Sequence, residues 1–308
     1  MAAKQLNIAY VKHNLIDKNK WDECIENAAN NLIYATSMYL DTMSKSWDAL
    51  ILNKYEAVMP LTFNKKFGIN YLFQPFSCAS LGIFGTDLSK DIINAFLHTI
   101  PPHFKYADIY LNYKNNFDLE EYNLSKRYNY VLSLDQPYDK IYSSYRNSYK
   151  QILLKNTNSN HLSIKRDISY EAIIELSAKK MKGVKPFKKD DIDNFTKLCN
   201  ILLRNNQLKT YGVYGNSALL SSGIFFIDEN RIYYIMAGNT SEGRRKGASH
   251  VLIDACIKDH CNTKLVFDFE GSNIPGIAFF FKGFAPVKEI YPRLKFNHLN
   301  KILKIIKH

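Results

Sequence analysis

An internal repeat is the feature of this sequence that most restricts its fold. Three pairs of segments correspond: residues 55–59 with 216–220 and 91–95 with 252–256, each offset by 161 (216 minus 55), and 107–110 with 265–268, offset by 158 (265 minus 107). A nearly constant offset over a strand turn, a helix and a further strand is typical of a duplicated unit. The repeat therefore predicts two copies of one α/β unit along the chain.

The order of elements within each copy predicts the fold class. The predicted helices cover residues 19–44, 88–99, 140–155, 170–182 and 190–205, and the predicted strands lie in 47–63, 71–84, 107–113, 209–214 and 218–227. A length of 308 residues suits two domains. We therefore predict an α/β (α+β) fold with two tandem domains, residues 1–136 and residues 137–308, each with a mixed central sheet flanked by helices.

Composition limits the classes of protein that this chain can be. The five cysteines are an odd number without a CxxC pair, which argues against a disulfide framework and a zinc knuckle. The N-terminus lacks the pattern of a signal peptide, and the apolar stretch at residues 274–281 is too short to span a bilayer. We expect a cytoplasmic protein with no transmembrane segment. The net charge of +12 favours anionic partners, such as phosphate-bearing cofactors, nucleic acid or anionic lipid.

A strand, a glycine-containing turn and a helix are predicted from residue 233 to residue 249. The turn, called here the anion loop, contains Gly243, Arg244, Arg245, Lys246, Gly247, Ala248 and Ser249. Glycines allow backbone N–H groups to approach an anion, and a helix N-terminus adds a favourable dipole. Three adjacent cations at a helix start oppose that dipole unless an anion lies there. The loop is therefore a candidate phosphate or pyrophosphate site.

Known nucleotide-binding motifs do not fit the anion loop. Gly238 and Gly243 have the spacing of a P-loop, but Arg244 and Arg245 stand where that motif has Lys and Ser or Thr. The glycines also do not form GxGxxG. A nucleotide hydrolase is therefore disfavoured.

The anion loop resembles the pyrophosphate loop of the GNAT acyl-CoA N-acyltransferases. The resemblance rests on the pattern Arg-x-x-Gly-x-small, formed by Arg244, Gly247 and Ser249. The segments 267–272, 276–284 and 291–294 follow in an order that resembles the FemAB-like branch, which has two such domains in tandem and transfers amino acids or related acyl groups to amines. The resemblance covers most of the chain. It implies tandem GNAT-like domains, an acyl-CoA or aminoacyl-tRNA donor, an amine acceptor and no metal.

Two departures from the family pattern affect what the resemblance implies. Ser249 stands where GNAT proteins usually have Gly or Ala, which is a small change. The long helical hairpin of the peptidoglycan FemA and FemB enzymes is missing, which argues against an aminoacyl-tRNA donor and leaves it, with a tRNA partner, as the alternative to acyl-CoA.

Four residues are candidate catalytic groups. The Lys-Gly-Phe of the FemAB-like FKxGF element corresponds to residues 282–284, and the resemblance implies that Lys282 stabilises the oxyanion at the donor carbonyl. Glu270 and Asp268 alternate along a predicted strand and are expected on one side of it. Glu270 is the candidate general base, and Asp268 either shares that role or pairs structurally. Tyr291 is a candidate proton donor to the leaving group, and Asn239 either hydrogen-bonds a substrate or shapes the turn.

The first half contains the candidate acceptor site. Gln74 lies in the stretch that corresponds to the anion loop of the second half, without its cations. Arg146 and Lys150 are one helical turn apart and either bind an acceptor phosphate in the cleft between the halves or face solvent. His250 and Asp254 share a helical face with Cys261, and this face is predicted to be a solvated surface rather than a metal site.

These patterns predict an N-acyltransferase with its donor site in the second half. The acetyl, acyl or aminoacyl group would pass directly to the amine, without a covalent enzyme intermediate. A non-catalytic binding protein with the same fold is the alternative. An RNA-binding protein is a second alternative, because the net charge is +12, but the sequence contains no RNP-type or KH-type motif.

Overall fold

The computed structural model describes residues 6–118, 121–122, 124–159, 161–181, 187–271 and 273–299. The chain divides by its contacts into two units, Met1–Arg127 with Ile290–His308, and Tyr128–Glu289. Each unit has its own hydrophobic core. This contact boundary lies nine residues before the one expected from the sequence (136 minus 127) and assigns the C-terminal segment to the first unit. The division at residue 136 remains a prediction about independently folding domains.

The described residues before Leu124 form six strands and three α-helices of the first unit. The strands are β1 (Ile8–Val11), β2 (Trp47–Leu52), β3 (Ala57–Lys66), β4 (Ile69–Phe73), β5 (Phe84–Gly85) and β6 (Phe104–Tyr110). The helices are α1 (Lys18–Asn27), α2 (Ser37–Met43) and α3 (Lys90–His98), with 3-10 turns at His13–Leu15, Ile33–Ala35 and Tyr113–Asn115.

The second unit follows with a similar alternation of strands and helices. Its strands are β7 (Leu124–Ser133), which begins at the end of the first unit, β8 (Ser163–Arg166), β9 (Leu208–Gly215), β10 (Ala218–Ile227), β11 (Arg231–Asn239) and β12 (Val266–Asp268). Its helices are α4 (Tyr138–Ser144), α5 (Asn147–Ser159), α6 (Tyr170–Met181), α7 (Lys189–Arg204), α8 (Ser241–Lys246), α9 (Ala248–His260) and α10 (Pro275–Phe281), followed by a 3-10 turn at Lys282–Phe284. A last strand, β13 (Val287–Asn297), contributes residues 293–297 to the sheet of the first unit.

The two units have sheets of the same topology. In the first unit the order is β1, β2, β3, β4, β6, β13, with β5 beside β3. In the second unit it is β8, β9, β10, β11, β12, β7. In each sheet the first three pairings are antiparallel, the fourth is parallel and the fifth is antiparallel. The predicted α/β class, with a mixed sheet in each unit, is therefore confirmed.

The strand boundaries also confirm the repeat. Strands β3 and β10 begin at Ala57 and Ala218, and β2 and β9 begin at Trp47 and Leu208, so both offsets are 161 (218 minus 57 and 208 minus 47). The prediction that the two halves share one strand order holds. The closing strand of each sheet comes from outside the repeated stretch, because β7 precedes it in the second unit and β13 follows it in the first.

Two predicted helices are interrupted. The helix expected over residues 19–44 ends at Ala28, where ψ is 134°, and resumes as α2, with the intervening Ile33–Ala35 turn buried. The helix expected over residues 140–155 is broken at Tyr145, where ψ is 150°. There the backbone N–H of Arg146 donates to the carbonyl of Gly283 at 2.9 Å instead of continuing the helix. Long-range contacts therefore override local helical periodicity at both places.

Helix α9 supports the anion loop. Its buried residues include Ala248, Val251, Leu252 and Ala255, at the spacing of one helical face, and the helix contacts β9 and β10. It begins directly after Gly247, whose φ of +72° turns the chain, and it ends with Lys258 and His260 in its last turn. Cations there complement the dipole of the helix. Among the described residues, no helix is long and apolar enough to cross a bilayer.

Candidate active site

The anion loop begins where β11 ends. Thr240 caps α8: its hydroxyl accepts a hydrogen bond from the backbone N–H of Gly243 at 2.9 Å. The backbone N–H of Thr240 donates to the carbonyl of Leu220 on β10 at 2.9 Å. These bonds satisfy two backbone groups and fix the direction in which the chain leaves the sheet.

Both glycines of the anion loop are required by packing. Gly243 is buried, and a Cβ there would overlap the carbonyl oxygen of Leu220. Gly247 has a φ of +72°, which L side chains rarely adopt, and a Cβ there would overlap Ile152 of α5. The sequence pattern explained these glycines by approach to an anion. The structure shows instead that they allow close packing of α8 on β10 and of α9 beside α5.

The three cations do not lie at the start of a helix, as the sequence pattern had suggested. Arg244, Arg245 and Lys246 form the last turn of α8, where positive charge is favourable to the helix dipole. Lys246 pairs with Glu242 at 2.8 Å, and the guanidinium of Arg244 donates to the Ser241 hydroxyl at 3.2 Å. The argument that an anion must offset these cations is therefore wrong. The Arg244 and Arg245 side chains are nevertheless exposed, directly before the first turn of α9.

Asn239 is held by two serines at the end of β11. Its side-chain oxygen accepts hydrogen bonds from Ser221 at 2.5 Å and from Ser249 at 2.6 Å. Ser249 therefore connects the first turn of α9 to the strand that precedes the loop. Ala248, the remaining member of the anion loop, is fully buried beneath it.

Glu270 and Asp268 do not face the same side of a strand. Strand β12 ends at Asp268, and Glu270 has a φ of +52°, so the alternation expected from the sequence breaks between them. The backbone N–H of Glu270 donates to the Asp268 carboxylate at 3.0 Å. Asp268 is buried and also accepts from Arg231 at 2.8 Å and from Asn129 at 2.6 Å. Asp268 is therefore a structural ion-pair residue that holds the backbone of the half-buried Glu270.

Arg231 is also buried, and its second partner, Glu289, is partly buried. Its guanidinium bridges Asp268 and Glu289, with the second ion pair at 2.8 Å. Burial raises the pKa of Glu289, and the two carboxylates raise that of Arg231 against the effect of burial. One buried cation, shared by a buried and a partly buried carboxylate, orders the end of β12.

Lys282 projects from a tightly packed turn. Gly283 packs against Tyr149, whose ring a Cβ would overlap, and Phe284 is fully buried, edge-on to Tyr145 and Tyr149. Lys282 itself is exposed, and its ammonium lies 5.7 Å from the centroid of the Tyr130 ring. The Lys-Gly-Phe element thus anchors two residues in the core and presents the third to solvent.

The remaining candidates are held by partners of their own. Tyr291 belongs to the first unit, edge-on to Tyr110, with 5.9 Å between ring centroids. Gln74, also in the first unit, accepts from the backbone N–H of Tyr110 at 3.1 Å. In the second unit, the Lys150 ammonium donates to the carbonyl of Ser143 at 3.0 Å. Arg146 stacks on the exposed Phe279, with its guanidinium 4.4 Å from the ring centroid. Arg146 and Lys150 therefore contact different neighbours.

His250 is a residue whose position the sequence interpretation missed. Its ring lies 4.3 Å from that of Tyr149 and 5.0 Å from that of Phe280, and its Nδ1 is buried without a hydrogen-bond partner among the described residues. Burial lowers its pKa to about 4. The expected solvated face is therefore wrong. Because α9 is apolar around most of its circumference, little of its surface is left for solvent, which is the signal that could have placed His250 inside.

No group of three His, Cys, Asp or Glu side chains within the described ranges is arranged to hold a metal ion. Among the described residues, the candidates of the second unit include two exposed guanidinium groups, a helix start, a half-buried carboxylate and an exposed ammonium. Groups of these kinds can take part in phosphate binding or in proton transfer.

Neither a family model nor any curated protein matches the sequence. Solved structures do match it. FemX is similar over 98% of this chain and 99% of its own, with a TM-score of 0.65 and 12% identity. The fold is that of the FemAB-like, tandem GNAT proteins. L-PGS from Bacillus licheniformis is similar over 94% of this chain and 95% of its own, with a TM-score of 0.53 and 13% identity.

A tandem GNAT protein from the clavulanic acid biosynthesis pathway has the same fold, with a TM-score of 0.52 and 10% identity over 96% of this chain and all of its own. The tandem GNAT-like fold expected from the duplication and from the anion loop is thereby confirmed. At identities of 10 to 13%, the structural similarity establishes the fold of this chain.

Proposed function

We propose that this chain is an N-acyltransferase of the FemAB-like kind, which transfers an acyl or aminoacyl group from a phosphorylated donor to an amine. The observation that supports the proposal is the anion loop, which carries exposed Arg244 and Arg245 directly before α9. Acyl-CoA is the proposed donor and aminoacyl-tRNA the alternative, with tRNA then a partner.

The donor phosphates would be held by the anion loop. The first N–H groups of any helix lack intrahelical partners, so the start of α9 adds hydrogen-bond donors to the two guanidinium groups. Arginine is suited to this role because its planar donors match phosphate oxygens. Lys246 is already paired with Glu242 and contributes less.

The transfer step would be a direct displacement at the donor carbonyl. The amine nitrogen forms a bond to the carbonyl carbon, and the bond from that carbon to the thioester sulfur, or to the ribose oxygen of an aminoacyl-tRNA, breaks. Glu270 takes the proton of the amine, and Lys282 stabilises the oxyanion. Asn239 is the proposed hydrogen-bonding residue at the donor, and the role of Tyr291 as a proton donor stays a prediction from the sequence.

Asp268 acts in this proposal as a positioning residue. Its carboxylate accepts the backbone N–H of Glu270 at 3.0 Å, so it fixes the peptide that carries the base. Of the proposed acceptor ligands Gln74, Arg146 and Lys150, the guanidinium of Arg146 is the most suitable for a phosphate, because it stacks on an exposed ring and keeps its donors.

Donor binding is tested by isothermal titration calorimetry with acetyl-CoA. We expect Arg244→Gln with Arg245→Gln to raise the Kd at least about tenfold and to reduce its dependence on salt, because two charge-assisted contacts are lost. Lys188→Gln with Lys189→Gln is the matched control, since it removes the same charge from exposed positions of the second unit. Unchanged affinity in the arginine variant would contradict the donor site.

Turnover separates the enzyme from a binding protein. Acetyl-CoA is incubated with a panel of primary amines, and release of the free CoA thiol is followed. Thiol release that depends on the amine supports the transferase. Tight acetyl-CoA binding without release for any amine, together with no transfer from aminoacyl-tRNA, supports the non-catalytic alternative.

A further inference from the structure

A cleft of about 540 Å³ lies in the second unit, lined by residues of α4, α5, β8 and α9. None of the residues of the anion loop and none of the proposed catalytic residues lines it. The cleft combines a carboxylate, tyrosine rings and an apolar wall, and each of these has a feature that bears on what it can bind.

The carboxylate of Asp254 is incompletely satisfied. Both of its oxygens lie at hydrogen-bond distance from one phenol, that of Tyr138, at 2.9 and 3.0 Å, and a phenol has one hydrogen to donate. The Tyr145 hydroxyl lies near it, is buried, and has no hydrogen-bond partner of good geometry among the described residues. No lysine or arginine in the described part of the chain forms an ion pair with Asp254. Burial raises the pKa of Asp254 to about 6.

The tyrosine rings beside Asp254 already accept a cation. Tyr138 and Tyr142 lie with their ring centroids 5.8 Å apart, and the ammonium of Lys258 sits 5.1 Å from the centroid of Tyr138. Lys258 is exposed, so its side chain can leave this position without unfolding the helix. The geometry provides an aromatic face suited to an ammonium group.

The charges that face the cleft favour a cation over an anion. Arg166 binds both oxygens of Asp259, at 2.6 and 2.7 Å, and this pair is neutral as a whole. The remaining charged residues of the lining are Lys258, Asp139 and Asp254, so the cleft has a net charge of −1. The chain as a whole has a net charge of +12. The apolar wall continues from these charges along Leu153, Leu162, Ile164, Val251 and Ala255, with Leu154 54% exposed at the rim.

We propose that this cleft binds a primary alkylammonium group, with the ammonium at Asp254 and Tyr138 and the alkyl chain along the apolar wall. The site goes beyond the proposed transferase reaction and does not depend on it. An amine-bearing amphiphile and a lysine side chain of a peptide share this chemistry, and the two are separated by the probes used.

The test is isothermal titration calorimetry at pH 8 with n-hexylammonium chloride and with Nα-acetyl-lysine amide. We expect saturable binding of at least one of them, and the tighter of the two identifies the source as amphiphile or peptide. n-Hexanol and hexanoate have the same chain without the cation and are expected to bind at least about tenfold more weakly. Equal binding of n-hexanol, or tighter binding of hexanoate, would overturn the proposal.

Two pairs of variants locate the site. Asp254→Asn keeps the size of the side chain and is expected to weaken n-hexylammonium binding at least about tenfold, whereas Asp193→Asn, an exposed position on α7, has no effect. Leu154→Ala is expected to weaken it severalfold, and Leu203→Ala, 51% exposed on α7, is the control. Binding that survives Asp254→Asn in a protein with unchanged circular dichroism would refute the site.

The pH dependence gives a readout that needs no variant. The titratable and charged groups facing Asp254 are Tyr138, Asp139, Tyr142 and Tyr145 before β8, Arg166 on β8, and Lys258 and Asp259 on α9. Because the alkylammonium stays charged, we expect its affinity to fall between pH 8 and pH 5 as Asp254 is protonated. Asp254→Asn should abolish this fall, and a fall of the same size in that variant would count against the proposal.

Discussion

Helix α9 carries two partly buried side chains, Asp254 and His250, whose effects on stability have opposite pH dependence. Burial raises the pKa of Asp254 from its ordinary 3.8 to about 6. Burial among aromatic rings lowers the pKa of His250 from 6.5 to about 4. Both groups therefore titrate differently in the folded and unfolded chain over the same acidic range.

The sign of each effect follows from which state binds the proton. Between about pH 4 and pH 6 the folded state protonates Asp254 more readily than the unfolded state does, so this group stabilises the fold as pH falls. Between pH 4 and pH 6.5 the unfolded state protonates His250 more readily, so that group destabilises the fold as pH falls. Each difference corresponds to about 3 kcal/mol, and in the wild-type chain the two largely cancel.

Asp254→Asn removes the contribution of Asp254 to the pH dependence of stability. Asparagine keeps an oxygen that can accept from Tyr138, so the main change is loss of the buried charge. We expect the free energy of unfolding to rise by up to about 3 kcal/mol at pH 7.5 and by much less near pH 4. His250→Phe should show the opposite pH dependence. The difference in the free energy of unfolding between this variant and wild type should rise by about 3 kcal/mol as the pH falls from 7.5 to 4.

Urea unfolding followed by circular dichroism at pH 7.5, 6 and 4.5 measures both effects. The free energy of unfolding of wild type is subtracted from that of the variant at each pH. This difference removes the contribution of the other carboxylates that titrate in this range. Asp193→Asn, exposed on α7, is the control for the loss of one carboxylate. A gain for Asp254→Asn that is the same at all three pH values, or that Asp193→Asn reproduces, would refute the reasoning.

Further predictions concern packing and catalysis in the second unit. Gly283→Ala should lower the free energy of unfolding by about 1–3 kcal/mol, because Tyr149 is held by His250 and Phe284 and cannot move aside. Gly276→Ala has open space around it and should leave the urea midpoint nearly unchanged. Lys282→Met should keep acetyl-CoA affinity but slow transfer by about a hundredfold, with Lys288→Met as the exposed control; an unchanged rate would exclude the oxyanion role. Glu270→Gln should cause a loss of kcat/KM that shrinks as pH rises, since a deprotonated amine needs no base, and a pH-independent loss would argue for a structural role.

Much of the fold could be predicted because the strands and helices have periodic sequence patterns and because these patterns occur twice in the chain. The offset of 161 residues placed the starts of β2 and β3 on those of β9 and β10, and the structure keeps that register. Turn residues and alternation define such hairpins locally, so no distant contact is needed to recognise them. The two closing strands lie outside the repeated stretch, which is why the pattern did not reveal that β13 completes the first sheet.

For the anion loop, the place in the chain order was predicted, and the contacts of its residues were predicted less well. The anion loop does join β11 to α9, as the glycines and the small residue at 249 indicated. Its glycines and cations have contacts other than those expected, because part of the predicted turn forms helix α8 and Gly247 separates α8 from α9. Helix ends depend on such single residues, so the position of a charge relative to a dipole is decided by one turn of chain.

By itself the sequence determined the duplication, the α/β class and the chain segment that forms the anion loop, because these depend on residue order and local periodicity. Only the tertiary structure decided which side chains are neighbours. It paired Asp268 with Arg231, and it partly buried His250 and Asp254, which a helical wheel placed in solvent. Burial and ion pairing arise from residues far apart in the chain, and no local pattern encodes which of them meet.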